Sequence, residues 1–302
     1  MTSVEVKKIA NLAGHRDCIY TLEEVPENPI FFSGSGDGMI VQWDLRHTEG
    51  ERVAQMGASV YALRYVKSSG VLIAGHNFEG IHLLDWKNKK EIGSLRLTTA
   101  AIFDIRINGP HVIVAGGEGA VFVIDYETLN ILKRLEHSEK SARAIALNPN
   151  GMEMAVGYSD NHIRIFRLSD YSLLKEYQAH GNSIFTLQYS PDGQWLLSGS
   201  RDARLKVWKS QENYALHQEI AAHLYAVNDI QFSPDGKHFV TCSMDKSVKV
   251  WRTKDLTLLK VIDKSRHAGH GTSVNKLLWG SFNQQVVSAS DDRTISIWDV
   301  IF

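Results

Sequence analysis

A short run of alternating apolar residues returns seven times along this 302-residue chain, and that return fixes what the chain can fold into. The runs are Ile40-Val41-Gln42-Trp43, Ile81-His82-Leu83-Leu84, Val121-Phe122-Val123-Ile124, Ile163-Arg164-Ile165-Phe166, Leu205-Lys206-Val207-Trp208, Val248-Lys249-Val250-Trp251 and Ile295-Ser296-Ile297-Trp298. Their last residues are spaced by 41, 40, 42, 42, 43 and 47 positions. Self-similarity at such a period means one small sheet per repeat. A sheet of that size cannot bury its own apolar face and must stack on its neighbours.

The fifth repeat shows how each unit is built. Ile184 to Ser190 reads as an apolar-rich strand, Ser190-Pro191-Asp192-Gly193 as a turn, and Gln194 to Ser200 as a strand returning antiparallel. Arg201-Asp202-Ala203 turns the chain into a third strand, Arg204 to Trp208, and a fourth follows near His217 to Ala221. The same order recurs around Ser233-Pro234-Asp235-Gly236 and Asn148-Pro149-Asn150-Gly151. Each repeat is therefore an antiparallel meander of four strands, and residues 1–302 are expected to form a single domain. The final run leaves the seventh unit one strand short, while Val4 to Leu12 reads as an extra strand before the first unit. Pairing the two closes a ring, removes exposed sheet edges and predicts a monomer.

Charge and cysteine usage narrow the partners. With 33 basic against 34 acidic residues and a net charge of -1, no long-range field draws the protein to nucleic acid or an anionic membrane. Two cysteines, Cys18 and Cys242, are too few for a disulfide framework or zinc finger, so reduced thiols are expected. The start, Met1 to Lys8, lacks the apolar core of a secretory leader, and no apolar run approaches the roughly 18 residues of a membrane span. A cytoplasmic protein is expected.

Gly14-His15, Ala179-His180, Ala222-His223 and Gly269-His270 open repeats that close with Trp43-Asp44, Trp208, Trp251 and Trp298-Asp299. On these residues the whole chain resembles the WD-repeat β-propellers. The resemblance implies an all-β fold, a seven-bladed β-propeller of four-stranded antiparallel blades, with the ring closed by the N-terminal strand on the last blade. It also implies a hydrogen-bonded set in four blades. The sets are Asp37, His15, Ser33 and Trp43 in the first; Asp202, His180, Ser198 and Trp208 in the fifth; Asp245, His223, Thr241 and Trp251 in the sixth; and Asp292, His270, Ser288 and Trp298 in the seventh.

The physical sense stands beside the resemblance. An Asp six residues before a Trp, and a Ser or Thr ten before it, face each other across a hairpin, where a His can bond both and leave no buried polar group unpaired. A Ser-His-Asp hydrolase site is disfavoured because no catalyst needs its triad in four blades of one ring. The second, third and fourth repeats carry Leu84, Ala74 and Met56; Ile124, Val114 and Thr98; and Phe166, Val156 and Ser138 at the Trp, Ser and His positions. Their Asp positions hold Phe78, Glu118 and Asp160. Losing the set together is expected, because one orphaned partner costs about 1–3 kcal/mol whereas apolar replacement of all is nearly neutral.

The first strand of each unit has a spacing fault. Apolar residues fall at Ile19 and Leu22, Val60 and Leu63, Ile102 and Ile105, Ile184 and Leu187, Val227 and Ile230, and Val274 and Leu277. A step of three within a period of two implies a bulge, which re-aims a side chain. On the innermost strand of a propeller the re-aimed residue points into the channel mouth. Around the ring it is Tyr20, Tyr61, Phe103, Arg143, Phe185, Asn228 and Asn275. The residues before the turn Asp, namely Gly36, Asn77, Gly117, Ser159, Arg201, Met244 and Asp291, are expected on the same face. Aromatic and Arg side chains are the usual anchors of interfaces, and Arg143 with Arg201 on neighbouring units suits a carboxylate or phosphate.

The function expected is a non-catalytic scaffold that docks a protein or peptide, one with an acidic or phosphorylated group being suited to the arginines. No cofactor, metal, nucleic acid or membrane is called for. A plainer reading has the aromatics packing the mouth and the arginines solvated. A channel-based enzyme or small-ligand propeller, and a complex subunit binding through another face, stay open. His267 and His270 do not make a metal site, since the resemblance already engages His270, and Lys206 and Lys249 read as solvated faces of third strands.

Overall fold

A computed structural model describes residues 4–302; Met1, Thr2 and Ser3, part of the stretch read above as lacking a leader, lie outside the described residues. Among the described residues, 28 strands form seven four-stranded antiparallel sheets, the blades of an all-β propeller. Six blades follow chain order, as in the fifth: Ile184–Tyr189, Trp195–Ser200, Arg204–Lys209 and Ala215–Ala221. The turn Ser190-Pro191-Asp192-Gly193 ends at Gly193 with φ +69°, and the sixth blade repeats it with Gly236 at +70°, a conformation glycine adopts without steric cost.

The seventh blade is composite. Its order is Val274–Trp279, Val286–Ser290, Thr294–Ile301 and then the N-terminal strand Glu5–Ala13. Glu5 faces Ile301 and Ala13 faces Thr294, so the outer edge of the last blade is covered as the sequence predicts. The first strands touch one another around the ring, and Ile19–Glu24 contacts both Val60–Val66 and Val274–Trp279. This strand is therefore innermost.

The core is divided among the seven blade interfaces. Phe32 and Ile40 of the first blade pack with Leu63, Leu72 and Leu84 of the second. On its other side Phe31 and Trp43 pack with Val287 and Ile297 of the seventh. Each fully buried side chain of this size contributes about 1.5–3 kcal/mol, so the interfaces between blades, and no blade by itself, hold the ring.

Four blades carry the polar set. In the first, His15 Nε2 lies 2.7 Å from Ser33 Oγ, which accepts from Trp43 Nε1 at 2.8 Å, while His15 Nδ1 faces Asp37 at 3.3 Å. The matching His to Ser or Thr distances are 2.7 Å at His180, 2.8 Å at His223 and 2.9 Å at His270. The Trp donors Trp208, Trp251 and Trp298 all lie at 2.9 Å. For Asp202, burial pushes the carboxyl pKa up. The hydrogen bond from His180, the His180 charge and the main-chain N–H groups of Gly181 and Arg204 outweigh it and hold the group well below the usual carboxylate range.

The fourth blade departs from the expected apolar replacement. Phe166 and Val156 are buried where Trp and Ser stand elsewhere, but Asp160 keeps partners. Ser138 Oγ donates to it at 2.7 Å and Arg164 approaches at 2.8 Å, with Glu176 also 2.8 Å from Arg164. Arg164 is buried and its guanidinium lies 4.4 Å from the Tyr158 ring. A long cation laid over an aromatic ring fills the volume and neutralises the Asp. The third-strand lysines are likewise not solvated faces: Lys249 Nζ donates to Ala222 O at 2.6 Å, and Lys206 pairs with Glu219 at 3.0 Å.

Candidate docking face at the channel mouth

The expected bulge is present in all seven innermost strands. Pairing with the second strand slips between Ile19 and Thr21, Val60 and Ala62, Ile102 and Asp104, Ala142 and Ala144, Ile184 and Thr186, Val227 and Asp229, and Val274 and Lys276. The skipped residues are Tyr20, Tyr61, Phe103, Arg143, Phe185, Asn228 and Asn275. All seven are half-buried and line one cavity of about 480 Å³. The residues before the turn Asp edge the same face. Each donates its main-chain N–H across the blade, as Gly36 does to Cys18 O at 2.9 Å, Asn77 to Ser59 O at 3.4 Å and Arg201 to Ser183 O at 2.9 Å.

The aromatics form a contiguous arc. Tyr20 meets Tyr61 edge-on at 4.6 Å between ring centroids, and Tyr61 stacks on Phe103 at 5.8 Å. Arg143 follows, its guanidinium 4.3 Å from the Phe103 ring and 4.9 Å from Phe185. Its Nε is sealed from solvent without a partner. Burial lowers the Arg143 pKa, opposed by Tyr61 and assisted by the charge of Arg201, but a guanidinium stays charged. So Arg143 is a clamped cation and not a solvated one, whereas Arg201 is exposed and lies outside the cavity lining.

The two asparagines have a different role. Asn228 Nδ2 donates to Val274 O at 2.8 Å in the next blade, and Asn275 Nδ2 donates to Ile19 O at 3.0 Å in the first. Asn275 also donates to Asp291 at 2.6 Å. Their amides are spent stitching blades together.

Sequence reasoning missed three exposed apolar residues of this face. Phe78, 61% exposed, belongs to the same cavity lining. Leu224 and Tyr225, 83% and 62% exposed, precede the innermost strand of the sixth blade beside Met244, 51% exposed. Their signal was available, since the position after the opening His is Arg16, Gly181 and Gly271 in the other polar-set blades and Leu224 only here.

One layer deeper the channel wall is charged. Glu23 accepts from Tyr65 N at 3.0 Å and Arg64 at 3.2 Å. Asp104 accepts from Ile145 N at 2.8 Å, and Asp229 from Leu277 N at 3.0 Å, Thr186 Oγ1 at 3.1 Å and Lys276 at 3.2 Å. In each case a carboxylate of one blade holds a main-chain N–H of the next. Burial pushes the Asp104 carboxyl up to about 6, against the Lys276 and Arg64 charges. For Lys276 burial works to lower the pKa, and Asp229 and Asp104 outweigh it and raise it. The opposite opening is a polar cavity of about 630 Å³ bordered by Glu24, Arg64, Arg106 and Gln231.

Among the described residues no helix is long and apolar enough to cross a membrane. The family model described as "WD domain, G-beta repeat" matches residues 6–44, 129–167, 171–209, 215–252 and 263–299, more than half of the chain. The unmatched stretch between the first two segments holds most of the second and third repeats, where the polar set is lost. The chain is similar to THO complex subunit 3 of Arabidopsis thaliana, with 23% identity over 66% of this chain and 64% of that protein. It is similar to meiotic fizzy-related protein 1 of Schizosaccharomyces pombe, with 24% identity over 67% of this chain and 50% of the relative. It also matches a periodic tryptophan protein 2 homolog of Mus musculus, 29% identical over 33% of this chain. The matches span from 11% to 64% of the length of these three relatives. Repeats, blade topology and family match together place this chain in the WD-repeat family.

Proposed function

We propose that this propeller is a non-catalytic scaffold that docks a protein or peptide on the channel-mouth face, as a monomeric ring. The observation that carries the reading is the clamp of Arg143 between Phe103 and Phe185 at the end of the Tyr20, Tyr61 and Phe103 arc. A desolvated cation framed by rings suits a carboxylate or phosphate on an otherwise apolar segment, with Arg201 as a second, exposed charge at the edge. Phe78, Leu224, Tyr225 and Met244 add exposed apolar surface around the mouth. A complex subunit among the relatives, THO complex subunit 3, supports a role in assembly. Within the surface, Tyr20, Tyr61, Phe103, Arg143 and Phe185 make the contact, while Asn228 and Asn275 shape it from behind.

The test is affinity capture from native cell extract with the intact protein and an Arg143→Ala, Arg201→Ala variant. The reading expects a partner that the intact protein retains and the variant loses while its melting temperature stays close to that of the parent. Equal capture by both overturns it.

A further inference from the structure

The second blade breaks the pattern of its neighbours at one turn. In the other six blades the left-handed residue of the turn between second and third strands is Gly38, Gly119, Asn161, Ala203, Lys246 or Arg293, one position after the Asp site. In the second blade it is Phe78, at the Asp site itself, with φ +74°. A bulky residue in that region is strained. The shifted turn joins the strands Val71–His76 and Gly80–Asp85 and places Glu79 against two histidines.

Glu79 Oε2 lies 3.4 Å from His76 Nδ1 and 3.5 Å from His82 Nε2. All three ligand atoms fall within 4.8 Å of one another. Bonds of about 2.0–2.1 Å at a tetrahedral centre put neighbouring ligand atoms roughly 3.3–3.4 Å apart, so two of the three edges already have the length a zinc-class ion requires. His76 is 5% exposed, and both its ring nitrogens are sealed from solvent without a hydrogen-bond partner. An unpaired buried nitrogen is costly, and a metal bond at Nδ1 relieves one of the two. His82 has its other nitrogen, Nδ1, 3.2 Å from the Glu91 carboxylate. With the proton on Nδ1 donated to Glu91, the Nε2 lone pair faces Glu79, the arrangement that orients metal-ligating histidines.

We propose that His76, Glu79 and His82 form a site for a divalent transition-metal ion of the zinc class, with Glu91 as a positioning residue. Two imidazoles and one carboxylate favour zinc-class ions over calcium or magnesium, which take oxygen ligands. The site opens into a surface cavity of about 540 Å³, where Gly57 presents no side chain over His76. The site borders the docking face, since Asn77 and Phe78 line both cavities, but none of its three ligands belongs to the arc from Tyr20 to Phe185.

Titration of the tag-free, chelator-treated protein with Zn²⁺ by calorimetry tests it, with Co²⁺ absorption as a second readout. One equivalent of Zn²⁺ is expected to bind and to raise the melting temperature. Glu79→Gln alters a side chain 56% exposed and leaves the fold intact; it and His82→Gln are expected to weaken binding at least ten-fold. Glu91→Gln should weaken it by about 10–100-fold while Co²⁺ keeps its ligand-field bands, and His267→Gln should change nothing. Absence of stoichiometric binding in the intact protein overturns the site. So does binding that Glu79→Gln and His82→Gln leave unchanged.

Discussion

Asp202 and Glu118 stand at equivalent turn positions, yet the environment gives them opposite worth. Asp202 accepts from His180, Gly181 and Arg204, whereas one Glu118 oxygen is buried without a partner. Asp202→Ala leaves the buried His180 ring half-paired, a cost of about 1–3 kcal/mol, and at about 2–4 °C per kcal/mol the melting temperature should fall by several degrees. Glu118→Ala should move it little; equal shifts in a thermal melt contradict the assignment. The depressed Asp202 pKa adds a pH signature. A carboxyl whose pKa is lower folded than unfolded stabilises the protein above the unfolded value of about 3.9, and that contribution is lost as pH falls toward the folded value. Asp202→Asn should therefore start less stable at neutral pH and lose less between about pH 4.5 and 2 than the parent does. A parallel decline in the two proteins contradicts that linkage.

The elements were legible where a rule of spacing governs them. The WD-repeat resemblance supplied the Asp-His-Ser-Trp sets and the innermost place of the first strand, and the step of three supplied the bulge, so the ring of residues from Tyr20 to Asn275 could be placed around the mouth from the sequence. What spacing hides is the partner of a polar residue on another blade. Asp229 and Lys276 are 47 positions apart in the chain and 3.2 Å apart in the channel, and Asn228 looks like a recognition amide until its bond to Val274 is seen. Arg164 was hidden by its strand's alternation, and His76 by a turn whose left-handed residue moved by one position. The Asp229 stitch between innermost strands is testable. Asp229→Ala takes the acceptor from half-buried Lys276, from Thr186 Oγ1 and from Leu277 N, a loss of about 3–5 kcal/mol, and adding Lys276→Met should restore the Lys276 share of it. Chemical denaturation measures both, and additive losses in the double variant contradict the pairing.

At the scale of the whole molecule, seven interfaces each shared by two blades make a closed and rigid frame. No blade is independent, and the strand from the chain's beginning seals the last one. Such a frame holds Tyr20, Tyr61, Phe103, Arg143 and Phe185 in one arc although they come from five separate repeats. Pre-set side chains lose little freedom on binding, which is the physical advantage of a propeller as a docking platform. The most direct measurement is partner capture by a Tyr61→Ala, Phe103→Ala variant whose circular dichroism and melting curve match a folded ring. Loss of the captured partner, or at least a ten-fold drop in its affinity, is the predicted result; undiminished capture by the folded variant contradicts the placement of the docking face.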